Sequence, residues 1–261
     1  MIAKQIIEND NYEYWINRAK GYSEVNREEL SGIQRQTWKK LLDSEILTHF
    51  KKSPSERSEI RILDIGAGPG FLSIILAELG YSVTAADFAE TMLAEAHRNA
   101  GDLAGRIVFR KENAMDLSFD DCSFDVVISR NLTWNLPDPT KAYKSWLSVT
   151  RNGGLMLIFD ACWYAYLRDD RKKTEYLRDR QRVKESGFDD YDIGENFDKM
   201  EAIADTLPLT GVSRPGWDEE VFCRLGAFSV TCTLNIGEEV YSEKEKVNYG
   251  SCPLFMIKVV K

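Results

Sequence analysis

Three glycines in Leu63-Asp64-Ile65-Gly66-Ala67-Gly68-Pro69-Gly70 join an apolar run to a segment with helical spacing. Glycine bends a chain tightly and admits a ligand to the backbone where a Cβ would block it. In open α/β sheets, ligands bind beside such turns, at the carboxyl ends of the strands. The spacing is G-x-G-x-G and departs from the G-x-G-x-x-G of a dinucleotide site. Asp64 stands just before the turn, where a pyrophosphate would meet negative charge; a ligand with a cationic amino group suits it better. Asp87 ends the next apolar run, and its carboxylate can accept two hydrogen bonds from a ribose diol.

Further candidates follow later apolar runs. After Ile128-Ser129-Arg130, Asn131 can position a polar acceptor atom and Trp134 offers a ring face; a loop closed by Pro137 and Pro139 would also explain them. Asp160, Trp163, Tyr164 and Tyr166 place aromatic faces beside one carboxylate, the surroundings that an amine or sulfonium cation prefers. The same cluster also reads as the apolar underside of a lid. Near the start, Tyr14, Arg18 and Tyr22 recur at helical spacing with more aromatic surface than a solvated helix requires. His49 and His97 fall in helical segments, so a histidine base is not expected, and Asp160, Asp116 or a lid tyrosine is left to assist a hydroxyl. The five cysteines form no C-x-x-C pair and lie far from both histidines. That excludes zinc-ligand spacing and indicates free thiols in a reducing cytoplasm. No metal is expected.

The elements that position these residues follow from periodicity. The region around Tyr14 to Tyr22 reads as a helix, and Glu28 to Phe50 as a second with Leu30, Ile33, Trp38, Leu41, Leu42, Ile46 and Leu47 on its apolar face. Lys51 to Glu59 reads as a linker. Strands are expected at residues 60–65, 81–86, 106–110, 125–129 and 155–160, alternating with helices at 71–79, 91–100 and 141–150. That alternation indicates a parallel sheet covered on both faces. The rhythm breaks at residues 164–213, which read as a charged, aromatic and partly helical insertion, either a lid or a dimerisation arm. A helix at 217–225 and strands at 228–234 and 254–260 then resume the pattern.

Composition narrows the function classes. The chain has 261 residues, 43% hydrophobic and 11% aromatic, with a net charge of −8. The acidic balance argues against nucleic acid, whose phosphates need a basic face. No apolar run reaches the ~18 residues of a membrane span. Residues Met1 to Asn11 mix Lys4, Glu8 and Asp10 into their apolar positions and lack a signal-peptide core. A cytoplasmic protein, monomeric or homodimeric, is expected.

At this point the chain resembles a known family. Asp64 to Gly70 resembles motif I of class I S-adenosylmethionine-dependent methyltransferases, and Asp87-Phe88 their motif II acidic position. Asp87-Phe88-Ala89-Glu90-Thr91-Met92-Leu93 is similar to the D-x-S-x-x-M-L stretch of a subgroup that includes quinone-biosynthesis methyltransferases. Asn113-Ala114-Met115-Asp116-Leu117 is similar to the third motif, which flanks adenine, with Asn113 in place of the usual Asp. Phe124 to Ser129 is similar to the fourth motif, and Arg151-Asn152-Gly153-Gly154 to the K-P-G-G turn before the fifth strand.

The resemblance implies a Rossmann-like, doubly wound α/β sheet with a reversed C-terminal strand, an N-terminal helical cap at 1–59, and a methyltransferase domain at 60–261 with its lid at about 164–213. It implies S-adenosylmethionine held by Asp64, Gly66, Ala67, Gly68, Gly70 and Asp87. Phe88, Met92, Asn113, Ala114, Met115 and Arg130 complete that site, and Tyr14, Arg18 and Tyr22 reach it from a helix folded over the cofactor. Trp134, Trp163 and Tyr164 are then left for a small-molecule acceptor, with Asn131 and Asp160 as candidate catalytic groups. The sulfonium is already activated, so transfer needs mainly alignment, and the aromatic faces favour a nitrogen acceptor. The alternatives are a non-catalytic protein that binds the same cofactor and a protein methyltransferase with an open groove.

Overall fold

Apolar runs between Arg61 and Asp160 form the parallel centre of one seven-stranded sheet in the computed structural model of the chain, which describes residues 2–261. Its strands are β1 (Arg61–Ile65), β2 (Ser82–Asp87), β3 (Ile107–Lys111), β4 (Phe124–Arg130), β5 (Thr150–Asp160), β6 (Ser229–Thr233) and β7 (Phe255–Val260). They lie in the order β3-β2-β1-β4-β5-β7-β6. Only β7 is reversed, antiparallel to both β5 and β6, as the resemblance implies. β1 and β4 are apolar at consecutive positions because both of their faces are covered.

The helices form two layers and a superstructure. α2 (Gln34–Phe50) and α3 (Phe71–Leu79) cover one face, α5 (Pro139–Val149) and α8 (Gly216–Arg224) the other, and α4 (Glu90–Ala100) packs on β2 and β3. In α3, Phe71 to Ala77 are all buried, since α2 covers the side turned away from the sheet. Trp38, Leu42 and Ile46 of α2 are fully buried in the same core as Phe71, Ile75 and Ile62. α2 is thus a layer of the core, while α1 (Ile2–Ser31) packs on Phe88, Ala89 and Met92 after the end of β2.

Several boundaries differ from the sequence reading. α1 continues to Ser31, and the helix expected from Glu28 starts at Gln34, because the break falls at Gly32, a poor helix former. Residues 54–59, read as linker, form a 3₁₀ turn closed by a Ser53/Glu56 capping box. β5 begins at Thr150, so the Asn152-Gly153-Gly154 turn is a kink inside the strand, with Gly153 at φ +69°. Residues 164–213 carry α6 (Asp170–Ser186) and α7 (Glu195–Ala204). α6 starts where the Asp169 carboxylate accepts the Arg171 and Lys172 N–H groups. Between β6 and β7 stand α9 (Gly237–Val240) and α10 (Glu243–Asn248), to which the sequence reading assigned no element.

A buried charge network ties the end of the 164–213 segment to the sheet. The Arg214 side chain, 1% exposed, donates to Asp218 at 2.9 and 2.7 Å, to Asp160 at 3.1 Å and to Thr133 Oγ1 at 2.6 Å. Tyr143 donates to Asp218 and Thr133 to Asp160, so both carboxylates are hydrogen-bonded and share one guanidinium. Removing one partner of such a network strands a buried charge. Arg214→Ala is expected to lower the unfolding free energy by about 3–5 kcal/mol in urea denaturation. A loss below about 1 kcal/mol would mean the network does not hold the lid.

Candidate active site

The glycine turn leaves β1 under close constraint. Gly66 has φ +66°, and a Cβ there would lie 2.6 Å from Leu132 Cδ2. Gly68 has φ +52°, and its open face is covered by the Tyr22 ring, 3.5 Å from where a Cβ would sit. The Gly68 and Ala89 N–H groups donate to the two oxygens of Asp87, each at 2.9 Å. Each oxygen retains acceptor capacity for a further donor. Burial pushes the Asp87 carboxyl up to about 6, against those backbone donors.

Asp64 lies beneath the turn. It is 2% exposed, accepts the Ser73 hydroxyl at 2.6 Å, and is pushed up to about 7 by burial. Its carboxylate therefore ties β1 to α3 and does not line a cavity.

α1 crosses the carboxyl edge above these residues. Trp15, Ile16, Ala19 and Tyr22 pack on Phe88, Ala89 and Met92, and the Tyr12 and Phe88 ring centroids are 5.3 Å apart. Further along, Glu29 of α1 forms an ion pair with Arg130 at the end of β4. The Arg130 guanidinium sits over the Phe71 and Trp38 rings, 4.4 and 5.1 Å from their centroids. Burial pushes the Glu29 carboxyl up, and Arg130 opposes that shift.

On the other side of α1 lies a cavity of about 350 Å³. Tyr14, Trp15, Arg18 and Tyr22 of α1 form one wall, and Arg130, Asn131 and Trp134 form the floor. Trp163, Tyr164, Tyr166, Tyr176 and Phe197 come from the lid side, and Tyr241, Glu245 and Tyr249 from the segment between β6 and β7. Four buried polar atoms on this wall have no partner among the described residues: Trp15 Nε1, Arg130 Nε, Asn131 Oδ1 and the Tyr241 hydroxyl. Buried polar groups are normally paired, so these are the atoms a bound polar molecule would satisfy.

The expected site residues thus fall into groups. Tyr14, Arg18, Tyr22, Arg130, Asn131, Trp134, Trp163 and Tyr164 share the cavity. Arg18 interacts with the Tyr14 hydroxyl, whose pKa burial raises and Arg18 restrains. Gly66 to Gly70, Asp87, Phe88 and Met92 lie behind the ring layer of α1. Asn113 turns its Oδ1 back to the Met115 N–H at 2.9 Å, while the Ala114 carbonyl accepts Trp146 Nε1 at 2.8 Å. None of Asn113, Ala114 and Met115 lines the cavity. Asp160 is fully buried and accepts Arg214, Ala161 N–H, Trp134 N–H and Trp163 Nε1. It has no face toward a substrate and acts by holding the two tryptophans. His49 bonds the Gly153 carbonyl and His97 packs on Phe109, both away from the cavity. Tyr241, Glu245 and Tyr249 were missed; the Ser242/Glu245 capping box was their one visible signal.

The family described as Methyltransferase domain matches residues 63–158. A demethylmenaquinone methyltransferase of Clavibacter sepedonicus is 43% identical over 99 residues, 38% of this chain and 40% of that protein. A ubiquinone biosynthesis O-methyltransferase of Xanthomonas axonopodis pv. citri is 31% identical over 104 residues, 40% of this chain and 44% of that protein. The chain therefore spans about two-fifths of the length of the curated relatives it matches. Among solved structures, a Methanococcus maripaludis protein suggested to be an S-adenosyl-L-methionine-dependent methyltransferase has a TM-score of 0.58 at 22% identity, covering 94% of this chain and 93% of that one. Phosphoethanolamine N-methyltransferase 2 of Haemonchus contortus, in complex with phosphomonomethylethanolamine and S-adenosylhomocysteine, has a TM-score of 0.54 at 18% identity, covering 83% and 52%. These structural likenesses carry the fold.

Asp64 generates a pH dependence whose sign is fixed. Its carboxyl titrates near 7 when folded and near ~4 when unfolded, so its contribution to stability is full below about pH 4 and is lost as the pH rises through 7. Asp87 acts in the same sense up to about 6. In urea titrations, Asp64→Asn is expected to flatten the decline between about pH 4 and 7. An unchanged slope would contradict the burial of an ionisable Asp64.

Proposed function

Because residues 63–158 carry the sequence and fold of a class I S-adenosylmethionine-dependent methyltransferase domain, we propose that the chain transfers a methyl group from S-adenosylmethionine to a small molecule. The observation that carries the reading is that the glycine turn and the residues just after Asp87 lie against α1, which also walls an aromatic cavity. The residues fit the cofactor: Gly68 carries no Cβ beneath the Tyr22 ring, Asp87 has acceptor capacity left, and Trp15, Arg130 and Asn131 keep unpartnered polar atoms.

In this reading Gly66 to Gly70 and Asp87 hold the ribose side, with Phe88, Met92 and residues 113–115 toward the adenine. Tyr14, Arg18 and Tyr22 attend the methionine end, Arg18 supplying the positive charge for a carboxylate. Asp64 supports the turn through Ser73. The bound cofactor supplies a methyl group activated on a sulfonium, open to in-line displacement. The chain's own part is alignment and exclusion of water. Trp134 and Trp163, pinned through Asp160, keep their rings in the cavity wall, and Asn131 offers a carbonyl oxygen to orient the acceptor.

A nitrogen acceptor suits this cavity best, since tyrosine and tryptophan faces beside carboxylates stabilise a cation. The relatives' names point to quinone precursors, but every cavity residue except Arg130, Asn131 and Trp134 lies outside the matched segment 63–158. The acceptor of those relatives therefore has little bearing here. Residues 164–213 serve as the lid of a domain spanning 60–261, and α1 as the cap that covers its cofactor. A cytoplasmic setting accords with five free cysteines. Among the described residues no helix is long and apolar enough to cross a membrane.

Calorimetric titration tests the cofactor. S-adenosylmethionine is expected to bind, NADH not to bind, and Asp87→Ala to weaken the affinity roughly tenfold or more by removing a charged acceptor. Asp87→Asn, which preserves the shape of the side chain, separates that loss from misfolding. Binding of NADH, or undiminished S-adenosylmethionine binding in both variants, would contradict the proposal.

A further inference from the structure

We propose that Asp192, on the segment between α6 and α7, holds the ammonium group of a protonated aliphatic amine in the cavity and receives the proton its nitrogen sheds. The inference rests on the methyl-transfer reading above and names the acceptor class and the group that prepares it.

Four carboxylates stand on the cavity wall; two are hydrogen-bonded, Glu28 is mostly exposed to solvent, and Asp192 is largely covered. Glu29 is paired with Arg130, Glu28 faces Lys244 at 3.5 Å, and Glu245 accepts Gln34 Nε2 and the Ser242 N–H and hydroxyl. Asp192 is different. Among the described residues no donor hydrogen-bonds its carboxylate, and the nearest cation, Arg180, stands 3.5 Å from one oxygen. Arg180 is itself committed, donating to the Asp190 carboxylate and to the carbonyl and side chain of Asn248. Asp192 therefore retains most of its acceptor capacity, facing a cavity.

The surroundings are those of a cation site. Tyr164, Tyr176 and Tyr249 lie near enough to feel the Asp192 charge. The Tyr166 and Tyr176 rings stack on each other at 4.0 Å with Arg180 over Tyr176 at 5.3 Å, and Tyr164 lies 5.1 Å from Trp134. Ring faces gain from a cation, and a cation between them and a carboxylate gains from both. A neutral hydroxyl can donate to the carboxylate but gains no cation–π attraction from the rings. Burial pushes the Asp192 carboxyl up to about 6, with Asp190, Asp179 and Glu201 adding to that rise and Arg180 opposing it. It stays ionised at neutral pH, as a partner for an ammonium must.

The proton accounting is simple. An ammonium has no lone pair with which to attack a methyl group. One N–H bond breaks and its electron pair remains on nitrogen; the proton forms an O–H bond with Asp192 and passes to solvent. The amine is then a competent nucleophile.

The test uses binding, with n-butylammonium as the probe and 1-butanol and catechol as controls, on the full chain saturated with S-adenosylhomocysteine. By calorimetry or saturation-transfer NMR, butylammonium is expected to bind in preference to both controls. Asp192→Asn should weaken it roughly tenfold, Asp192→Glu should restore part of the affinity, and both variants should keep their affinity for S-adenosylhomocysteine. Failure of butylammonium to bind the loaded wild type, equal binding to Asp192→Asn, or preference for catechol overturns the proposal. Failure of S-adenosylhomocysteine itself to bind overturns the methyl-transfer reading and, with it, this inference.

Discussion

The ion pair between Glu29 and Arg130 fixes where everything else can be. Arg130 ends a central strand, lies over the Phe71 and Trp38 rings, and meets a carboxylate of α1. Taking both charges out of water is expensive, and such a pair is better regarded as fixing register than as adding stability. Here the register matters: with Glu29 seated on β4, the preceding turns of α1 run back across the carboxyl edge. Tyr22 then meets Gly68, and Trp15 and Ala19 meet Ala89 and Met92. One helix becomes the partition between the glycine turn and the aromatic cavity.

The residues best suited by type for chemistry turn out to position others. Asp160 follows a strand at the edge where substrates bind, yet Arg214, Thr133 and two tryptophans consume its oxygens. Asp64 precedes a ligand-type turn, yet Ser73 draws it inward. In both, the bonds that make burial of the carboxylate tolerable are made to the protein itself. Asp192, between α6 and α7 and outside the sheet, lines the cavity with Arg180 3.5 Å away and no hydrogen-bond donor on its carboxylate among the described residues.

The centre of the fold was legible because its signals are local. Alternating strands and helices, the glycines at 66, 68 and 70, and Asp87 at a strand end are set by contacts within a few residues of one another. The glycine C-cap at Gly80 is of the same kind, observed at φ +94°. The acceptor side was legible only in pieces. Tyr14, Arg18, Trp134 and Tyr164 stood out by type, but Tyr176, Asp192 and Tyr241 come from segments whose meeting depends on long-range packing. α9 and α10 are only four and six residues long, too short for periodicity to register. The start of α2 was misplaced for a related reason: the apolar spacing runs continuously past Gly32, and only the packing of Trp38 against Phe71 and Phe159 decides which turn begins the new helix.

The partition role of α1 is open to direct measurement by hydrogen exchange across residues 12–26 and 86–92, with and without saturating S-adenosylmethionine. Slowed exchange in both segments together is the predicted result, since the cofactor would be held between the Asp87 turn and the ring layer of α1. Unchanged exchange in residues 12–26, with protection confined to other parts of the sheet, would contradict it.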